Sequence, residues 1–296
     1  KNKNNVRHYK KLQRQCFELQ RFNTVCNTNI CPKILNIVDN SYMFYIDIEY
    51  CEGYNTLCDN ENLNSVLVDI FEILKENIYI MRKPLRSDNI WLQTYIKNRL
   101  RFSEYTKLHK SINKLINIDT VNINGVQCQG MLKILNNNIL LKKVKPKFLT
   151  SIHGDLTFEN ILYNSDKYDT KLIDMDGSDF IDACELDLGK LAQSLISKYE
   201  IWSVDKDVVN KLDFDNKLIY TKEYSNTEKI EEYKEIFLEW CNILNDDYET
   251  TKIKAIFYMC THLIRMIPYR YKVSLDQALF AIKEATLWLN EINLIL

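Results

Sequence analysis

The chain has 296 residues, 46% of them hydrophobic and 27% charged, a composition that supplies a full apolar core and excludes a disordered tail. Lys and Arg number 39 against 40 Asp and Glu, for a formal charge of −1. No global basic field therefore points to nucleic acid or an anionic membrane surface. No apolar run approaches the ~18 residues of a membrane helix, and the start KNKNNVRHYKK has no apolar stretch for a signal peptide. The expectation is a cytoplasmic protein with no membrane and no nucleic-acid partner.

Only 6 Gly and 4 Pro occur, so turns and phosphate-cradling loops are scarce and helix is favoured. The 9 cysteines are scattered and contain no Cys-x-x-Cys. Neither a disulfide framework nor a zinc site fits that spacing, and they read as reduced thiols in the core. The chain opens on Lys1 with no Met before Met43, which leads to the expectation of further sequence upstream.

In chain order, residues 7 to 23 carry Leu12, Cys16, Leu19 and Phe22 on one helical stripe. Two short segments follow, Lys33 to Val38 and Met43 to Tyr50. Asp39-Asn40-Ser41 supplies turn chemistry between them, so a β-hairpin is expected. From Glu61 the pattern is helical, with Leu63, Val66, Leu67, Ile70, Leu74 and Ile78 on one face. Trp91 to Leu115 gives a second helical stretch. Residues 119 to 150 are short and mixed, with Gly125, Gly130 and a cluster of Lys142, Lys143, Lys145 and Lys147. Ile161 to Tyr163 and Leu172-Ile173 read as two short strands around an Asn164-Ser165-Asp166 turn. The last hundred residues read as helical, over 187–203, 228–245, 250–266 and 275–293.

One stretch carries chemistry. Ser151-Ile152-His153-Gly154-Asp155-Leu156-Thr157-Phe158-Glu159-Asn160 precedes the first of those strands, and Ile173-Asp174-Met175-Asp176-Gly177 closes the second. A carboxylate on a rigid loop can orient an attacking hydroxyl or take its proton. An amide oxygen five residues later and a carboxylate at the next strand's end can share Mg²⁺, a hard cation that uses few protein oxygens.

This pattern, His-Gly-Asp-x-x-x-x-Asn followed by a strand ending Ile-Asp, resembles the catalytic loop and metal-binding Asp of the aminoglycoside phosphotransferase and choline kinase group. Its wording is closest to kinase-like proteins of bacterial capsule and surface-polysaccharide loci. The resemblance implies an α+β, protein-kinase-like, two-lobed fold. A small, partly missing, β-containing N-lobe would span residues 1–52, and a large, mainly helical C-lobe residues 53–296. It also implies transfer of a phosphoryl group from ATP or GTP, with Mg²⁺, to a hydroxyl of a small molecule such as a sugar, an amino alcohol or an aminoglycoside. Asp155 would be the catalytic Asp, and Asn160 and Asp174 the metal ligands. Asp176 would be a further metal contact or a supporting acid.

The resemblance extends outward from the loop. Asp187-Leu188-Gly189-Lys190-Leu191-Ala192 is similar to the family's helix start, whose Asp holds the catalytic-loop backbone. Glu18 lies where the family places the helix Glu that pairs with a phosphate-anchoring Lys. Ile48-Glu49-Tyr50-Cys51-Glu52-Gly53 resembles the hinge, where backbone groups of Glu49 and Cys51 would meet adenine. The sequence departs from the family in having no Gly before Gly53, hence no glycine-rich loop. For the anchoring Lys only Lys1 and Lys3 are near the required spacing. A catalytically inactive, kinase-like nucleotide-binding module is the alternative. His153 reads as a buried residue that hydrogen-bonds the loop, the Lys cluster as a solvated face, and Tyr199, Trp202 and Trp240 as core.

Overall fold

Helix α1 (Val6–Val25) leads into a hairpin, β1 (Ile34–Asp39) and β2 (Phe44–Ile48), then the short β3 (Asn55–Thr56), helix α2 (Leu63–Ile73) and β4 (Lys83–Pro84). A π-helical run over Trp91–Arg99 and helix α3 (Lys110–Ile116) follow. Next come a second hairpin, β5 (Thr120–Ile123) and β6 (Val126–Gln129), and the short helices α4 (Met131–Leu135) and α5 (Asn138–Val144). The middle of the chain holds β7 (Phe148–Leu149), β8 (Ile161–Asn164) and β9 (Asp169–Leu172). The remainder comprises α6 (Cys184–Leu195), α7 (Tyr199–Trp202), β10 (Val209–Asp213), β11 (Leu218–Thr221), α8 (Lys234–Leu244), α9 (Tyr248–Tyr271) and α10 (Leu275–Leu294). The computed structural model that gives these elements describes residues 6–25, 30–40, 42–59, 63–80, 82–85, 91–100, 105, 108, 110–175, 182–205, 207–213, 217–224 and 232–296.

The architecture is α+β, with helices dominant and small, mostly antiparallel sheets. Two compact units form. One contains Lys1–Pro84 and Phe148–Asp187, the other Leu85–Lys147 and Leu188–Leu296. This grouping cuts the chain elsewhere than the division at residues 52 and 53 and keeps the first hairpin with the His-Gly-Asp segment.

In the first unit, α1 buries Cys16, Leu19 and Phe22 as its stripe requires, while Leu12 is half-buried. Tyr9 of α1 meets Phe44 of β2 edge-on, with ring centroids 5.6 Å apart. The β1–β2 turn is fixed by Asn40, whose Oδ1 accepts the N–H groups of Tyr42 (2.9 Å) and Met43 (3.0 Å). Strands β3, β8 and β9 form a three-stranded antiparallel sheet in that order, and β4 pairs with β7. The segment between β7 and β8 is thus held at both ends by sheet pairing.

In the second unit, α9 and α10 are the long core helices, capped by Asp247 and Ser274, whose side chains accept the N–H of Thr250 (2.8 Å) and Gln277 (3.1 Å). Trp91 and Tyr95 of the π-helical run stack at 4.5 Å, and Tyr258 of α9 leans on both rings. Trp202 and Trp240 are fully buried, which makes them core.

Three sequence expectations are corrected here. The Trp91–Leu115 stretch is π-helical over Trp91–Arg99, and among the described residues that follow, Leu100, Tyr105 and Lys110–Ile116 are α-helical. Helix α6 begins at Cys184, three residues before Asp187. The last hundred residues also contain the hairpin β10–β11, joined in parallel to β5 in a sheet of order β10-β11-β5-β6. The β5–β6 turn is Asn124-Gly125, both at positive φ (50° and 89°) as a two-residue hairpin demands. The Asn124 side chain then accepts the N–H of Thr221 (2.9 Å) and donates to its carbonyl (3.3 Å), which recruits β11. The eight described cysteines are free thiols, and no described helix is long and apolar enough to cross a membrane.

Candidate functional site

The loop between β7 and β8 is organised around one buried carboxylate. Asp187, in the first turn of α6, is 0% exposed. Its two oxygens accept the backbone N–H groups of His153 and Gly154, each at 2.8 Å. A third donor, the hydroxyl of Tyr79, reaches the same carboxylate at 2.9 Å. Burial pushes the Asp187 carboxyl above its usual range, opposed by neighbouring His153 and by these donors. Gly154 takes φ +90°, a conformation that side-chain-bearing residues avoid, so the loop needs glycine there.

His153 is 0% exposed, and burial lowers its pKa against the pull of Asp187 and Asp155. It is therefore neutral near pH 7. Its Nδ1 accepts the Asp155 N–H at 3.2 Å, which puts the ring proton on Nε2, turned toward the Ile173 backbone without a hydrogen bond of normal geometry. The ring fixes the loop.

Two further links close the loop on itself. The Asn160 amide Nδ2 donates to the Asp155 carbonyl at 2.8 Å and leans on the Thr157 hydroxyl at 3.3 Å. With its NH₂ spent inward, the Oδ1 of Asn160 is the end available to a ligand. The Asn160 carbonyl accepts the Ile173 N–H at 3.0 Å, and Asp174 is the next residue. One chain of contacts thus joins Asp155, Asn160 and Asp174. Asp174 stands just past β9 with an exposed side chain and φ +52°, a strained setting for a non-glycine residue. Gln15 of α1 donates to its Oδ1.

Glu18, one helical turn beyond Gln15, pairs with Arg21, whose Nε donates to it at 2.8 Å. Arg21 also donates from Nη1 to the Ser151 hydroxyl at 2.7 Å. Gln15, Glu18 and Arg21 stand at i, i+3 and i+6, and the outer two touch opposite ends of the loop region, Asp174 and Ser151. Lys1 and Lys3, the expected partners of Glu18, lie outside the described residues, as does Asp176. Sequence reasoning did not single out Gln15, Arg21 or Tyr79. The first two were accessible to it, since helical spacing puts them on the face of Glu18.

At the expected hinge, the Glu49 N–H goes to the Lys33 carbonyl (2.8 Å) and its carboxylate takes the Lys33 N–H (3.1 Å). The Cys51 carbonyl accepts the Tyr54 N–H at 3.3 Å. Among the described residues, neither the Glu49 carbonyl nor the Cys51 N–H takes a backbone partner. Burial, then the neighbouring Glu49 charge, raises the Cys51 thiol pKa, so this thiol stays protonated.

Among the described residues, no group of three or more His, Cys, Asp and Glu side chains comes together as a metal site. The donor set of one amide oxygen and one carboxylate still suits Mg²⁺, which keeps most of its water shell and takes one or two protein carboxylates. Zinc and the softer metals would find no thiolate or imidazole cage here. No protein-family model matches the chain, and no curated protein matches it.

Proposed function

We propose that the chain is an ATP-dependent, Mg²⁺-requiring phosphotransferase acting on a hydroxyl of a small molecule, built on a protein-kinase-like, two-lobed fold of the aminoglycoside phosphotransferase and choline kinase kind. One observation carries the reading. The buried Asp187 clamps the His153–Gly154 backbone while Asn160 and Ile173 tie Asp155 to Asp174. That network sets two carboxylates and an amide oxygen on one rigid frame.

In this reading Asp155 orients the acceptor hydroxyl and receives its proton as the oxygen attacks the γ-phosphorus and the bond to the β-phosphate oxygen breaks. Asn160 and Asp174 would hold Mg²⁺, which would neutralise charge on the phosphates. The carbonyl of Glu49 and the N–H of Cys51, which take no backbone partner among the described residues, give an acceptor–donor pair two residues apart that suits a base edge. Positioning and electrostatics supply most of such catalysis. Sugars and amino alcohols are the acceptor classes to screen.

A second reading, a catalytically inactive nucleotide-binding module, is favoured by one feature: among the described residues Glu18 is engaged by Arg21 and by no lysine. Calorimetric titration with a non-hydrolysable ATP analogue, with and without Mg²⁺, tests both. Phosphotransfer predicts Mg²⁺-dependent binding that Asp174→Ala abolishes, and turnover that Asp155→Ala abolishes while binding survives. Binding with no turnover across the acceptor screen supports the inactive module. A folded chain that binds no nucleotide under either condition overturns both.

A further inference from the structure

Helix α1 carries two rows of side chains with different work. Cys16, Leu19 and Phe22 are its buried stripe. Gln15, Glu18 and Arg21 stand one position earlier at the same spacing and flank that stripe. Within the first unit this polar row reaches the loop of the candidate site. Arg21 donates to the Ser151 hydroxyl at 2.7 Å, and Gln15 donates from Nε2 to Oδ1 of Asp174. Glu18, between them, takes up the Arg21 charge.

Stability alone would pair these groups the other way round. The charged donor, Arg21, faces a neutral hydroxyl, and the neutral donor, Gln15, faces a carboxylate. A Lys or Arg at position 15 would add an ion pair to the hydrogen bond, and would also cancel the carboxylate's charge. An amide orients the carboxylate and leaves its charge in place. Asp174 needs an orienting partner, because its exposed side chain has no packing to fix a rotamer and its backbone sits at φ +52°. Gln15 takes up Oδ1, and among the described residues Oδ2 accepts no hydrogen bond.

We propose that Gln15 is a positioning residue for a divalent cation: by holding Oδ1 of Asp174 with an uncharged donor, it presents Oδ2, negative charge intact, to a small hard ion such as Mg²⁺ or Mn²⁺. The inference rests on the phosphotransferase reading, which takes Asp174 as a cation ligand. It goes further in naming what sets the geometry and the selectivity of that ligand. Mg²⁺ demands a near-ideal octahedron, which the narrow bite of a two-oxygen carboxylate distorts, whereas the larger Ca²⁺ accepts both oxygens. Mn²⁺ shares the octahedral oxygen preference of Mg²⁺. A carboxylate with one oxygen engaged by an amide therefore favours the smaller ions. Arg21 on Ser151, with Glu18 behind it, fixes the register of α1 that brings Gln15 to Asp174.

The test is Mn²⁺ binding to the nucleotide-free whole chain, read by electron paramagnetic resonance of the free ion, with Ca²⁺ as competitor and thermal unfolding in EDTA alongside. Gln15→Met keeps the length and loses the donor. It should weaken Mn²⁺ binding at least about tenfold and narrow the preference for Mn²⁺ over Ca²⁺. Gln15→Lys keeps a donor and adds a charge, so it should unfold in EDTA no earlier than wild type and yet lose Mn²⁺ binding. A role confined to packing α1 on the loop would move both readouts together, and the lysine variant separates the two roles even if the methionine variant folds poorly. Gln20→Met, exposed on the same helix, should match wild type throughout. Wild-type Mn²⁺ affinity and Ca²⁺ preference in the Gln15 variants, while Asp174→Ala abolishes binding, overturns the proposal and leaves the phosphotransferase reading standing. No Mn²⁺ binding by the wild-type chain, or binding that Asp174→Ala leaves intact, overturns the cation role of Asp174 and both readings with it.

Discussion

Replacing Asp187 with Ala should destabilise the first unit more than any other single change in the loop's support. The carboxylate serves three buried donors, the N–H groups of His153 and Gly154 and the Tyr79 hydroxyl. An unsatisfied buried donor costs about 1–3 kcal/mol. Three of them give roughly 3–6 kcal/mol after relaxation, against a total stability of about 5–15 kcal/mol for a domain. Burial of the carboxylate itself, whose pKa is raised by desolvation, returns part of that cost and points to the lower end. Asp187→Asn keeps one acceptor but turns an NH₂ toward backbone N–H, so its cost should fall just below that of Ala. Tyr79→Phe removes a single donor and leaves two, for about 1 kcal/mol. Urea unfolding followed by circular dichroism ranks the three. Amide hydrogen exchange at His153 and Gly154 shows whether the loop loses its anchor before the rest of the unit opens. A stability for Asp187→Ala within about 1 kcal/mol of wild type, or a Tyr79→Phe cost equal to that of Asp187→Ala, would refute the role of Asp187 as the loop's anchor.

Three other outcomes follow from single residues. Gly189→Ala would place a Cβ 2.4 Å from the Tyr258 Cβ and 2.7 Å from its carbonyl carbon, so α6 and α9 must part, at about 1–3 kcal/mol or more. A melting temperature unchanged in that variant would refute so close a crossing. Asp174→Gly relieves the φ of +52° and should raise stability by up to about 1 kcal/mol while Mg²⁺-dependent nucleotide binding disappears. Lower stability together with retained Mg²⁺ dependence contradicts both halves. His153 has its pKa lowered by burial, whereas the unfolded chain keeps the ordinary imidazole value of about 6.5. Below that value the unfolded state binds the extra proton, so stability from this group is complete above pH ~6.5 and declines as the pH falls toward the folded pKa. His153→Gln should flatten that slope between pH ~5 and ~7, and parallel stability curves for the two proteins would rule the assignment out.

How far the sequence reveals this molecule depends on the range of the forces involved. Periodicity located α1, α9 and α10 closely because each buries a continuous stripe, and Asn40 disclosed the first hairpin because its turn is local. The β10–β11 hairpin was missed because its partner β5 is nearly a hundred residues away, and the side chain that recruits it, Asn124, reads only as half of an Asn-Gly turn. The π-helical run at Trp91–Arg99 is hidden for the same reason: Trp91 and Tyr95 are set by Tyr258 of a distant helix. At the candidate site, the spacing of Asp155, Asn160 and Asp174 is visible in the chain, and so is Asp187. Arg21 on Ser151 is not, because a contact spanning 130 residues leaves no local signature.

The same long-range contacts explain how the loop keeps its awkward geometry. Gly154 at φ +90° and Asp174 at φ +52° are conformations a free chain would seldom hold. Gly154 is held by its N–H on Asp187, in the helix that follows the loop. Asp174 is held twice, by Ile173 on the Asn160 carbonyl and by Gln15 from α1. Each strained residue is therefore tied to a different element, and no one bond release frees both. A loop fixed this way needs no ligand to set Asp155, Asn160 and Asp174, so in the proposed phosphotransfer the ordering cost would fall on the ligand alone. That arrangement separates two kinds of damage. Loss of Asp187 should loosen the loop and reduce stability, whereas Asp155→Ala keeps the Asp187 clamp and the Asn160 and Ile173 ties, and should leave the frame standing.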